Sequence, residues 1–153
     1  MEATQIKERE LMTEEEIHVF GIQIVLKELD KEGYEVIGCN LERNVNPQII
    51  ARMDGQLAFI HVRTAVYPHK GSIAGILFKE LIASADKHGA ICYLASVGIA
   101  NAEGIDEKGW STPAKDVNYY VSYDGLLVFT YRDRVRGVEY GREAPRRELK
   151  VIH

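Results

Sequence analysis

Few residue types in this chain could do chemistry, and their spacing narrows the choice quickly. The histidines are His18, His61, His69, His88 and His153, and the cysteines are Cys39 and Cys92. His61 and His69 together with either cysteine could on paper hold a transition metal. No pair has the CxxC or HxxxH spacing that sets two ligands side by side. His61 reads better as a core histidine with a hydrogen-bond partner. His88 falls in the last turn of an expected helix, where a charged ring complements the dipole. His69-Lys70 lies past a strand end and reads as an anion contact or a solvated loop. Cys39 and Cys92 both fall on expected buried strands, where a thiol behaves as a small inert hydrophobe. Gly98, Gly104 and Gly109 form no phosphate-cradling loop, and there is no Walker motif, GxGxxG or GxSxG.

The elements that must position these groups are legible. Thr13 and Glu16 make a capping box, so a helix is expected from Glu14. Ile17, Phe20, Gly21, Ile24, Val25 and Leu29 recur at helical spacing, and Gly33 ends the run. A short strand, Tyr34–Cys39, follows, and Leu41–Pro47 is a polar connector. Gln48–Met53 and Gln56–Arg63 flank Asp54-Gly55, a strong hairpin signal. A second helix is expected over Ile73–His88, capped by Ser72 and closed by Gly89, with Glu80 interrupting its apolar stripe. Ala90–Val97 is a continuous apolar run, as in a buried parallel strand. Gly98–Asp116 is expected as a loop. Val117–Tyr123 and Leu126–Tyr131 flank Asp124-Gly125 as a second, C-terminal hairpin. The order predicts an α/β fold with a mixed central sheet flanked by helices, residues 1–131 forming a single domain and 132–153 a charged tail.

That αβββαβ order, with its residues, resembles the restriction-endonuclease-like superfamily, the PD-(D/E)xK nucleases. Within it the chain is most similar to the bacterial Holliday-junction-resolvase-like family of small proteins. The matching text runs from about Gly21 to Val97: Gly33-Tyr34-Glu35-Val36-Ile37, Asn40, Ile49-Ile50-Ala51, Leu57-Ala58-Phe59-Ile60 and Val62-Arg63-Thr64. The resemblance implies a site where carboxylates hold one or two Mg²⁺ ions and a lysine assists the attacking water. This chain departs from that pattern at each position. The first metal-binding acid falls on Gln48, the second on His61, the lysine on Arg63, and the helix-one acid near Ile22 or Gln23. One amide oxygen and one imidazole suit a hard cation poorly, and a permanently charged guanidinium would repel it. The expectation is a vestigial pocket lined by Gln23, Gln48, His61 and Arg63, holding an anion and no metal or other cofactor. A rebuilt Mg²⁺ site would have to draw on displaced acids, with Glu42 and Glu80 the candidates beside His61.

Composition agrees with a soluble domain. The 153 residues are 46% hydrophobic and 27% charged, enough to bury roughly two thirds of the unfolded surface without a disulfide or metal. No apolar run reaches the ~18 residues of a membrane span. The acidic N-terminus lacks the order of a signal peptide, and a cytoplasmic setting is expected. Net charge is -4, yet residues 1–32 carry nine acids against four bases and residues 132–153 seven bases against four acids. The basic tail reads as a nucleic-acid contact or as a partner for the acidic helix. Tyr119, Tyr120, Tyr123 and Tyr131 are expected to cover an edge strand at a homodimer contact, with base stacking as the alternative. The leading functional expectation is a catalytically inactive nuclease-like domain acting as a binding or scaffold module. Its rivals are an active nuclease with a displaced site and a nucleic-acid binder working through the tail.

Overall fold

A computed structural model describes residues 10–67, 69–102, 113–115, 118–128 and 149–152. The elements are α1 (Glu14–Glu32), β1 (Glu35–Cys39), β2 (Ile49–Met53), β3 (Gln56–Val66), α2 (Phe78–Lys87), β4 (Ala90–Asn101), β5 (Tyr119–Val128) and β6 (Leu149–Ile152). They make one six-stranded sheet in the order β1-β2-β3-β4-β5-β6. Only β3 and β4 pair in parallel; the other neighbours are antiparallel. The expected αβββαβ order and mixed sheet are therefore present.

Local chemistry sets the element ends. Thr13 Oγ1 accepts from the Glu16 N–H, and the Glu16 carboxylate accepts from the Thr13 N–H. Both donors would otherwise be orphaned at the start of α1. Gly33 closes the helix at φ 92°. At the β2–β3 turn Asp54 and Gly55 both take positive φ, 51° and 81°, the backbone that a two-residue hairpin needs.

The sheet divides the core by strand alternation. On one face α1 lays Ile17, Ile22, Val25 and Leu29 against Ile60, Val62, Ala95 and Val97. On the other, α2 lays Phe78, Leu81, Ile82 and Ala85 against Phe59, Cys92 and Leu94. β3 is thus covered on both sides, as its apolar run predicts. Among the described residues no helix is long and apolar enough to cross a membrane.

Three expectations are corrected. First, Ser72 does not cap the second helix. A 3-10 turn occupies Gly75–Leu77, and α2 begins only at Phe78. The preceding strap is pinned to the sheet: the Gly71 N–H bonds Val97 O, and Ser96 Oγ donates to Gly71 O. A Cβ on Gly71 would run into the Arg63 backbone. Ile76, placed on the apolar stripe by sequence, is consequently exposed. Second, Asp124-Gly125 turns no hairpin. β5 runs straight through it, with Ala95 opposite Leu126 and Val97 opposite Tyr123. Three steps of β5 thus match two of β4, a bulge that Gly125 accommodates at φ 97°. The strand beyond β5 is instead Leu149–Ile152, from the segment expected as tail. Third, β6 covers the outer side of β5 over Tyr119–Ser122, so Tyr119 and Tyr120 do not lie on an open edge. Tyr119 packs on Phe20 at 4.6 Å between ring centroids. Tyr131 lies outside the described residues. Cys39 is exposed, because β1 is the edge strand, while Cys92 is buried.

One close approach fixes α1 on the sheet. A Cβ at Gly21 would overlap Thr64 Oγ1. Gly21→Ala is expected to cost about 1–3 kcal/mol by overpacking. Urea denaturation of the single variant beside Gly21→Ala/Thr64→Ala checks it: the second change should recover part of the loss.

Candidate functional site

Past the end of β2 the chain must satisfy backbone groups that the ladder leaves behind. The last β2–β3 pair is Ile49 with Ile60, so Val62 has no β2 partner. Gln48, fully buried, supplies one from its side chain. The Val62 N–H donates to Gln48 Oε1 at 2.8 Å. The same oxygen accepts from Arg63 Nη1 at 3.1 Å. Gln48 Nε2 donates to Val45 O at 2.8 Å and to Asn46 Oδ1 at 3.1 Å. A side-chain amide has two donor protons and two acceptor lone pairs, and here all four are engaged within the protein.

Arg63 is held by the same cluster. Its Nη1 also donates to Val62 O at 3.1 Å, and its Nη2 donates to Asn46 Oδ1 at 3.0 Å. These partners are neutral oxygens. Burial lowers the guanidinium pKa from its ordinary value, but a group that starts above 12 has room to fall and still stay charged near neutrality.

His61 sits elsewhere, on the α2 face and 1% exposed. Its Nε2 lies 3.5 Å from Cys92 Sγ. Burial, helped by the Arg63 charge, pushes the imidazole down to about 3. Burial and Asp86 push the Cys92 thiol up to about 12. Nucleophilic Cys-His pairs need thiolate beside imidazolium. Here both groups are driven to their neutral forms, so the pair belongs to the core.

The open feature nearby is a cleft of about 750 Å³ between the start of α1, the 42–46 connector, the end of β3 and the strap leading to α2. Arg63 lines it; Gln48 and His61 do not. Gln23 is exposed and lines a different groove, with Phe20 and Tyr119. Ile22, the other helix-one candidate, is buried in the core. Glu80 borders the cleft from α2 but is exposed, and Glu42 is exposed in the connector. Among the described residues no three His, Cys, Asp or Glu side chains converge as a metal-binding group. The expected quartet is thus divided: Arg63 faces the cleft, Gln48 lies behind it, His61 is buried further back on the same face of β3, and Gln23 is exposed on α1.

Sequence reasoning missed His18, which lines the cleft with only 8% exposure. The Glu42 backbone faces its ring and favours the protonated form. The available signal was its place on α1, three and seven residues ahead of Gly21 and Val25 on the buried stripe. Lys70, expected in a solvated loop or at an anion contact, is neither. It is buried, and its Nζ donates to Asp124 Oδ2 at 2.8 Å.

Fold and cleft together define an α/β domain with a mixed sheet and a polar cluster of amide and guanidinium groups at the end of β3. Residues 15–129 match the family described as Domain of unknown function (DUF8840). The chain belongs to that family. No curated protein matches it. Among solved structures it is similar to Archaeoglobus fulgidus Hjc, a Holliday junction resolvase from an archaeal hyperthermophile. The likeness is 13% in sequence with a TM-score of 0.35, over 81% of this chain and 93% of that one.

Two outcomes follow from the site. Gln48→Met keeps the volume but strands the Val62 N–H and Val45 O; a loss of about 2–4 kcal/mol is expected in denaturant titrations. His61 gives a pH signature. The unfolded ring takes up a proton near its ordinary value of 6.5, the folded ring only near 3. Its contribution is full above pH 6.5 and falls away as pH drops toward 3, by at most about 1.4 kcal/mol per pH unit. His61→Leu should flatten the acid limb of stability against pH by that amount. Ring resonances that titrate near pH 6 would contradict the assignment.

Proposed function

We propose that this chain is a nuclease-fold domain that has lost metal-dependent hydrolysis and serves as a binding module, its cleft taking an anion. The αβββαβ order on a mixed sheet supports the superfamily. The observation that carries the reading is Gln48. At the position where the resemblance puts the first metal-binding acid stands an amide whose four hydrogen-bonding sites are all engaged. It has no lone pair left for a cation. Beside it a guanidinium replaces the lysine, and its charge attracts anions such as phosphate or carboxylate.

A cytoplasmic setting is part of the proposal, supported by two unbridged thiols of which one is exposed. So is a homodimer. Its support moves from the tyrosines to the edge strand β1, where Val36 and Ile37 are exposed.

The test is direct. Incubate the purified chain with branched and with linear DNA across a Mg²⁺ and Mn²⁺ series. Intact DNA throughout is expected. Metal-dependent cleavage that disappears in Gln48→Ala or His61→Ala would overturn the proposal.

A further inference from the structure

The cleft contains a detail that its fixed charges do not explain. Arg43 is already paired, its Nη1 lying 3.1 Å from Glu14 Oε1. Glu80 borders the opposite side, from α2. Arg63 holds only neutral oxygens. With His18 neutral, the charges facing the cleft cancel: Arg43 and Arg63 against Glu14 and Glu80. His18 Nε2 nevertheless has no hydrogen-bond partner among the described residues, although the ring is 92% removed from solvent. A buried nitrogen in that state costs stability unless something else meets it. The Glu42 backbone is close enough to favour the protonated ring, and burial on α1 limits the room the imidazole has to turn.

We infer that the cleft is a proton-linked site for a doubly charged tetrahedral oxyanion, a phosphate monoester group, with protonated His18 and Arg63 as its two cationic ligands. The inference rests on the binding-module reading and specifies its ligand. An anion between Arg63 and His18 needs Nε2 as a donor, so binding brings a proton onto the ring. That proton turns the neutral cleft into one with a single excess positive charge. A tetrahedral group offers oxygens in several directions. It can accept from His18 on α1, Arg63 on β3 and the Ser72 hydroxyl of the strap, which all line the cleft. A flat carboxylate cannot span three elements, and it carries only one charge to set against the two cations.

Without an anion, His18 is held below its ordinary pKa by burial first, then by the charges of Arg63 and Arg43; the Glu42 backbone opposes them. Glu14 from α1 and Glu80 from α2 are the acids facing it across the cleft. A bound dianion offsets the two arginines, so the ring gains basicity when the site fills. By linkage the affinity must then rise as pH falls.

The experiment follows the histidine ring resonances of the full chain by NMR between pH 5 and 7.5, with and without sulfate. Sulfate is the first probe because its own charge is constant over that range. His18→Gln assigns the signal, and the remaining histidines are internal controls. The expected result is a His18 midpoint at least one unit higher in saturating sulfate. Sulfate affinity should tighten about tenfold per pH unit between the two midpoints, as one linked proton requires. Inorganic phosphate should raise the midpoint as well, with a flatter pH dependence of affinity because its own second proton titrates in this range, whereas dimethyl phosphate, a singly charged diester, should bind at least tenfold more weakly. Arg63→Gln should abolish the shift. Arg43→Gln, at an exposed side chain outside the Gln48 cluster, should weaken it without unfolding the protein. A His18 midpoint unmoved by sulfate and phosphate overturns the inference, as does equal binding of the diester. DNA cleavage in the preceding assay would instead overturn the functional reading, whatever His18 does.

Discussion

One buried amide must answer to four partners at once, and the polar architecture of this domain is arranged around it. Gln48 completes the hydrogen bonding of β3 where β2 has run out, and its oxygen holds the guanidinium of Arg63. A carboxylate could accept the two bonds that Oε1 accepts but could not donate to Val45 O or Asn46 Oδ1. The environment therefore selects an amide on structural grounds. The same selection removes the anionic oxygen that a hard cation requires. Structure and chemistry at this point are one constraint: what makes the strand end self-sufficient also makes it a poor metal ligand.

From Gln48 the consequences spread outward through β3. His61 and Arg63 share the α2 face of that strand; His61 is buried beside Cys92, and Arg63, one step nearer the strand end, reaches the cleft rim. The strap over Gly71 presses on the Arg63 backbone and forms the far wall of the cleft. Gly21 admits α1 onto Thr64, which brings the first turns of that helix, with Glu14 and His18, to the near wall. Two glycines thus set the cleft width, and side chains from four parts of the chain set its charge.

The sequence disclosed much of this order because several signals were local. Thr13 with Glu16 marked the start of α1, and Asp54-Gly55 marked the first hairpin. The failures were also local signals, read without their tertiary setting. Asp124-Gly125 has the composition of a tight turn, but a glycine at positive φ serves a bulge equally well, and the pairing of β5 with β4 decided between them. Ser72 is a good cap in isolation; hydrogen bonds from Gly71 to β4 kept its segment extended. At the site, Arg63 and Gln48 were found by position along a strand. Their separation into rim and floor depended on how β2 ends, which no spacing rule encodes. His18 went unremarked because a histidine on an apolar stripe looks like core until the opposing wall is known.

The outer partner of β5 comes from a distant part of the sequence. Strand β5 closes at Val128, and its outer neighbour begins only at Leu149. A ribosome adds roughly 5–20 residues per second, so during synthesis β5 stands uncovered for a time on the order of seconds after it has emerged. In that interval a nascent chain presents the unpaired amides and carbonyls of Tyr119–Ser122, open to any passing strand. The cell must shepherd this polypeptide through that window, until translation reaches Leu149–Ile152 and that stretch of β5 gains its partner.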